Sequence, residues 1–241
     1  MSSPDPADET LEKLRGLVTS ATQRLLGDTI NVSDEDWHKP SVLPEWNRAQ
    51  VATHIARQAD ALCRLAEWAR TGEERAMYDS PAQRSSEIDE GRDRSALDLQ
   101  IDLDTSADRL MEAFDALDEF GGWDTPVELR GGTRVPARLL PLARLLEVVM
   151  HHVDLDIGYG IADIDNSTAE WLLEWCSFRL RDRDEFPKLE LSSESGFTIT
   201  LGSSGAARPI RGTSANLLGW LMNRVGADAV TGDAGLQLPA F

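Results

Sequence analysis

His54, Glu147 and His151 are the side chains of this sequence best suited to chemistry. Glu147 stands in Leu145-Leu146-Glu147-Val148-Val149-Met150-His151-His152-Val153-Asp154, a run so apolar that a carboxylate has no solvated face to occupy. Glu147 and His151 are four residues apart, so in a helix they stack on one face. A buried carboxylate without a partner is costly or takes up a proton, so it calls for a cation, and a divalent metal is the strongest one available. His152 falls about 140° around the helix from Glu147 and points elsewhere.

The third residue comes from Asn47-Arg48-Ala49-Gln50-Val51-Ala52-Thr53-His54-Ile55-Ala56. Asn47 reads as an N-cap, with Gln50 at the capping-box position. Val51, Ile55, Leu62 and Leu65 mark the buried stripe, and His54 lies at its edge, able to face a bundle interior. Two histidines and a carboxylate leave coordination positions open, which suits zinc in a catalytic role. The bland readings are a core histidine bonded to a carbonyl and a glutamate paired with an arginine.

The elements that must position these residues follow from periodicity. Leu11, Leu14, Leu17, Val18, Leu25 and Leu26 predict a helix over 8–27, after a Pro- and Asp-containing start expected to fray. The His54 helix runs to Arg70, where Thr71-Gly72 stops it. The connection 73–94 carries Met77, Tyr78, Ser80-Pro81 and many charges, which leave disorder open as one reading, while its aromatic and apolar content points to a segment that packs over something, such as a lid or pocket wall. A helix over 95–118 and a turn region bracketed by Gly121-Gly122 and Gly131-Gly132 precede the Glu147 helix, with Pro141 in its first turn. Beyond Gly158-Tyr159-Gly160, a helix over 168–183, strands at 188–192, 197–201 and 209–211, and a helix over 215–224 predict a second, smaller α/β domain. The fold class is α+β, with domains at 1–162 and 163–241.

Composition narrows the function. A net charge of −18, from 42 acidic and 24 basic residues, repels phosphate backbones and anionic lipid, so nucleic acid and membrane are not expected partners. Neither a signal peptide nor a membrane-length apolar span is visible, and the cytoplasm is the default. Cys63 and Cys176 form no CxxC motif and read as small buried residues. Cys63, nine residues after His54, is turned roughly 180° from it, so thiol chemistry at the metal needs an added thiol.

Several stretches carry a more specific signal: the Trp46 to His54 helix entry, Leu62-Cys63-Arg64-Leu65-Ala66-Glu67-Trp68-Ala69-Arg70-Thr71-Gly72-Glu73-Glu74, Met77-Tyr78-Asp79-Ser80-Pro81, and Glu147 to Leu155. In these the chain resembles the mycothiol-dependent maleylpyruvate isomerase family of actinobacteria over nearly its whole length. The resemblance implies an up-and-down, DinB-like four-helix bundle with metal ligands at His54, Glu147 and His151, and a C-terminal domain similar to sterol carrier proteins. The family pattern has Gly-Arg in the last helix where this chain reads Asn223-Arg224, and commonly Gly where it has Glu45.

The implied reaction turns maleylpyruvate into fumarylpyruvate, with mycothiol as a cosubstrate returned unchanged. A thiolate adds to the alkene carbon, the bond rotates as a single bond, and elimination releases the trans product. The enolate and carboxylates need cations, and the family pattern offers Arg224. Arg84 and Arg144 compete for substrate binding, each with a plain alternative as a surface or helix-pairing charge. Asp154 could orient the His151 imidazole, pair with Arg144 or cap its helix. A monomer is expected. Two other readings stay open: a mycothiol-dependent S-transferase acting on another electrophile, and a noncatalytic metal- or thiol-binding module.

Overall fold

Short polar side chains start most of the helices. Ser33, Asn47, Ser80, Ser95, Asp165 and Thr213 each accept a hydrogen bond from a backbone N–H of the turn they open, satisfying a donor that the helix itself leaves unpaired. In the computed structural model, which describes residues 6–181 and 183–239, the chain divides into two compact units, Met1–Tyr159 and Gly160–Phe241. The expected boundary was at 162. Residues 1–5 of the Pro- and Asp-containing start lie outside the described residues, and Pro6 already belongs to the first helix.

The first unit holds α1 (Pro6–Thr29), α2 (Asp34–Trp37), α3 (Arg48–Thr71), α4 (Pro81–Glu90), α5 (Ala96–Phe120) and α6 (Leu140–Asp154). Asn47 and Gln50 form the expected capping box, and Gly72, left-handed at φ 78°, ends α3 by donating to the Trp68 carbonyl. α3 packs on α5 and α6, and α1 on α6 and α5, so the first and second long helices face each other across the bundle. An up-and-down order sets them side by side; here the long connections after α1 and α3 allow the crossing.

Leu25, Trp37, Val51, Ile55, Leu99, Leu103, Val148 and Leu155 form the cluster that sets α6 against α3. Each such side chain contributes about 1.5–3 kcal/mol on burial, so the register that brings residues 54 and 147 together is held by packing.

The 73–94 connection contains α4, which periodicity did not show because Ile88 is the one buried side chain of its ten residues. Ser80 as cap with Pro81 in the first turn was the available signal. Past its end, Gly91 passes so near α3 that a Cβ there would sit 2.1 Å from Thr53 Oγ1, a contact only glycine permits. The expected turn region before α6 includes a hairpin, β1 (Pro126–Glu128) and β2 (Arg134–Pro136).

In the second unit β3 (Pro187–Ser193), β4 (Thr198–Leu201), β5 (Ser204–Gly212) and β6 (Thr231–Gly232) form a sheet of order β4-β3-β5-β6, with β3 and β5 parallel and the other pairs antiparallel. α7 (Asn166–Leu180) packs on β4, and α8 (Ser214–Leu221) on β3 and β5. No helix among the described residues is long and apolar enough to cross a membrane.

Candidate metal centre

α3 and α6 bring His54, Glu147 and His151 together, with one ligand atom from each lying within 4.8 Å of the others. Glu147 Oε2 is 3.1 Å from His54 Nε2 and 3.2 Å from His151 Nε2. The two imidazoles meet edge to face at 4.7 Å, and Trp46 closes over His54 at 5.5 Å. Among the described residues Glu147 makes no ion pair with an arginine; its carboxylate faces the two rings.

The outer partners fix the imidazoles differently. His151 Nδ1 is 2.8 Å from the fully buried Asp154 Oδ2, so both its nitrogens point at carboxylates. Burial works against the charged form of His151, but the hydrogen bonds to Asp154 and Glu147 outweigh it and raise the pKa to about 9. His54 Nδ1 instead meets Arg84 Nη2 at 3.3 Å. A guanidinium only donates, so Nδ1 accepts and Nε2–H donates to Glu147. Burial lowers His54 to about 4, and Glu147, despite burial, is held well below its usual value by the two imidazoles.

Two imidazole nitrogens and a carboxylate oxygen at this spacing could hold a divalent ion with positions left open, and Asp154 stands where a carboxylate would support His151 as a ligand. The donor chemistry fits zinc.

Among the other residues named from sequence, Arg144 is buried, donating to the Ile55 carbonyl at 2.7 Å and to Gln58 Oε1 at 2.8 Å, and burial lowers its pKa to about 10. It fastens α6 to α3 beneath Glu147. Arg224, half-buried in the second unit, donates from Nη1 to the Met222 carbonyl at 2.5 Å. Its neighbour Asn223 has φ 58° and Glu45 has φ 69°, so the two positions that depart from a glycine of the resembled pattern both have a left-handed backbone. Asparagine tolerates that conformation; glutamate is strained by it. His152 stacks on Tyr159 at 4.1 Å, away from the trio. Burial, with Asp60, pushes the Cys63 thiol to about 11, and burial raises Cys176 further.

Tyr78 had no assigned role in the sequence reading. The Arg84 guanidinium lies 5.6 Å over its ring, and burial, then the charge of Glu147, raises its phenol. The only hint was its place in the Met77 to Pro81 stretch.

Residues 18–156, more than half of the chain, match the family described as the mycothiol maleylpyruvate isomerase N-terminal domain. A crystal structure of the mycothiol-dependent maleylpyruvate isomerase is 28% identical, with a TM-score of 0.84, over 96% of this chain and 97% of that one. A histidine-to-alanine mutant of that enzyme is 27% identical with the same TM-score and coverage. No curated protein matches the chain. The match over most of the first unit places this chain in the mycothiol maleylpyruvate isomerase family.

Proposed function

We propose that this protein is a mycothiol-dependent isomerase converting maleylpyruvate to fumarylpyruvate. The observation that carries the reading is the His54, Glu147 and His151 trio in a chain whose similarity to the isomerase spans 96% of its length. We assign the trio to a divalent metal, with zinc preferred. Bound there, such an ion supplies the charge that lets a thiol ionise at neutral pH.

The protein's own residues do the rest. Asp154 holds the His151 ring in place through Nδ1. Trp46 covers His54 and keeps water from that side of the trio. Cys63 and Cys176, both with raised pKa values, are poor nucleophiles, so the attacking sulfur is mycothiol's. Its addition to the alkene carbon leaves a rotatable single bond and an enolate, and expulsion of the same sulfur after rotation gives the trans alkene. Arg224 is the cation we assign to the enolate and Arg84 the one for a substrate carboxylate; Arg144 acts as a buried charge. In this reading the second unit is of the sterol-carrier kind, and the protein works as a cytoplasmic monomer.

The test is product analysis with purified protein, maleylpyruvate and mycothiol. Fumarylpyruvate should form with mycothiol present and not without it, and mycothiol should be recovered intact. Stable consumption of the thiol would make the protein an S-transferase instead.

A further inference from the structure

Arginines of the first unit are mostly engaged with carboxylates. Among the described ones, Arg84, Arg92, Arg130 and Arg144 form no such ion pair. In a chain with 42 acidic and 24 basic residues, a cation without a carboxylate has been kept apart from one. Arg92 reaches the Glu45 carbonyl, and Arg144 is taken up by Ile55 and Gln58. Arg84 and Arg130 are left, and both line one cavity of about 390 Å³ between the 74–85 segment and the turn joining β1 to β2.

The cavity has an inner and an outer end. At the inner end Arg84 touches His54 Nδ1 through Nη2, while its Nε is buried with no hydrogen-bond partner. At the outer end the Arg130 N–H donates to Met77 Sδ at 3.0 Å, tying the turn to the opposite wall, and Gly131 and Gly132, at φ 92° and 83°, let that turn close. Glu74 and Glu128 also line the space, but both pair with Arg134, at 3.6 and 3.3 Å. Arg134 offsets only one of these two carboxylates, so Arg84 and Arg130, neither with a carboxylate partner of its own, leave the cavity net positive. Its volume is in the usual range for small-molecule pockets, about 300–1,000 Å³.

We infer that this cavity seats the electrophilic substrate, with Arg130 at the outer end taking one of its carboxylates and Arg84 meeting the end of the molecule nearest His54. That the ligand is a carboxylate rests on the function proposed above. Mycothiol is the weaker fit, since its body is an uncharged, hydroxyl-rich glycoside that leaves two guanidiniums unmatched. Arg130 sets the affinity for the acid, as it is exposed and makes no contact with the metal ligands.

The test uses the full-length protein with maleate as a calorimetric probe, alongside steady-state kinetics. Wild-type protein should bind maleate. Arg130→Ala should weaken that binding by about 10- to 100-fold, the effect of losing a charge-assisted hydrogen bond, and Arg130→Lys should recover part of it. Metal content and melting temperature should not change. The KM for maleylpyruvate should rise by the same factor while that for mycothiol holds. Equal maleate binding by wild type and Arg130→Ala, binding by neither, or a rise confined to the mycothiol KM would overturn this seating. Arg130-dependent maleate binding upholds it even in a protein that fails to isomerise maleylpyruvate, so its failure and that of the proposed function are separable.

Discussion

Inside the first unit His54, Gln58, Arg144, His152 and Asp154 are buried among leucines and valines, whereas among the described residues of the second unit the buried polar side chains are Thr168 and Ser214. Both are satisfied by carboxylates of their own unit, Thr168 by its helix cap Asp165 and Ser214 by Glu170 of the neighbouring helix. Burying charge costs far more than burying a methyl group, and the first unit accepts that cost where α3 meets α6. The contrast separates an interior selected for chemistry from one selected for packing.

The strongest test of this division is Glu147→Ala. It should remove essentially all bound metal, read by elemental analysis, and all mycothiol-dependent turnover; full metal content in that variant would mean that the trio is only a hydrogen-bonded cluster. In the second unit the corresponding experiment is Leu217→Ala, where a fully buried side chain is cut back. Stability should fall by about 2–5 kcal/mol in denaturant titration with metal content unchanged. Arg224→Ala can break the comparison, because it asks whether the packing unit also holds a chemical residue. Turnover should drop about 10²-fold with folding and metal intact, the scale for losing a donor to developing negative charge. Near-normal turnover would make Arg224 structural and leave the chemistry entirely in the first unit. The smallest effect belongs to Glu45→Gly, which relieves a left-handed glutamate beside Trp46 and should stabilise the protein by about 1 kcal/mol in thermal melts. A destabilised variant would show that the Glu45 side chain makes up for its backbone.

The trio was legible in the sequence because it breaks a strong pattern: a carboxylate and a histidine one turn apart in an otherwise apolar helix stand out. The capping box at Asn47 was equally plain, since it depends on two residues at fixed spacing. α4 was not, because a helix with one buried side chain has almost no apolar period. Nor could the sequence show that Arg84 reaches His54, or that the β1–β2 turn faces the 74–80 segment. Those contacts cross between segments whose meeting is decided by the packing of α3, α5 and α6. The glycine departures at 45 and 223 became interpretable only when both backbones proved left-handed.

The buried Arg144 has a consequence best seen as a count of formal charge. Around the trio, Glu147 and Asp154 contribute two negative charges, and Arg144 and Arg84 two positive ones; His151, raised to about 9, gives up its proton when it ligates, so with both imidazoles neutral the side chains that would receive an ion sum to zero. A divalent cation placed there keeps its full excess of two. That excess can be cancelled only by what arrives from solution, and a thiolate together with a carboxylate cancels it completely. On the proposed reading, a protein with an overall charge of −18 would hold, once metal is bound, a centre whose neutrality is completed by anionic reactants.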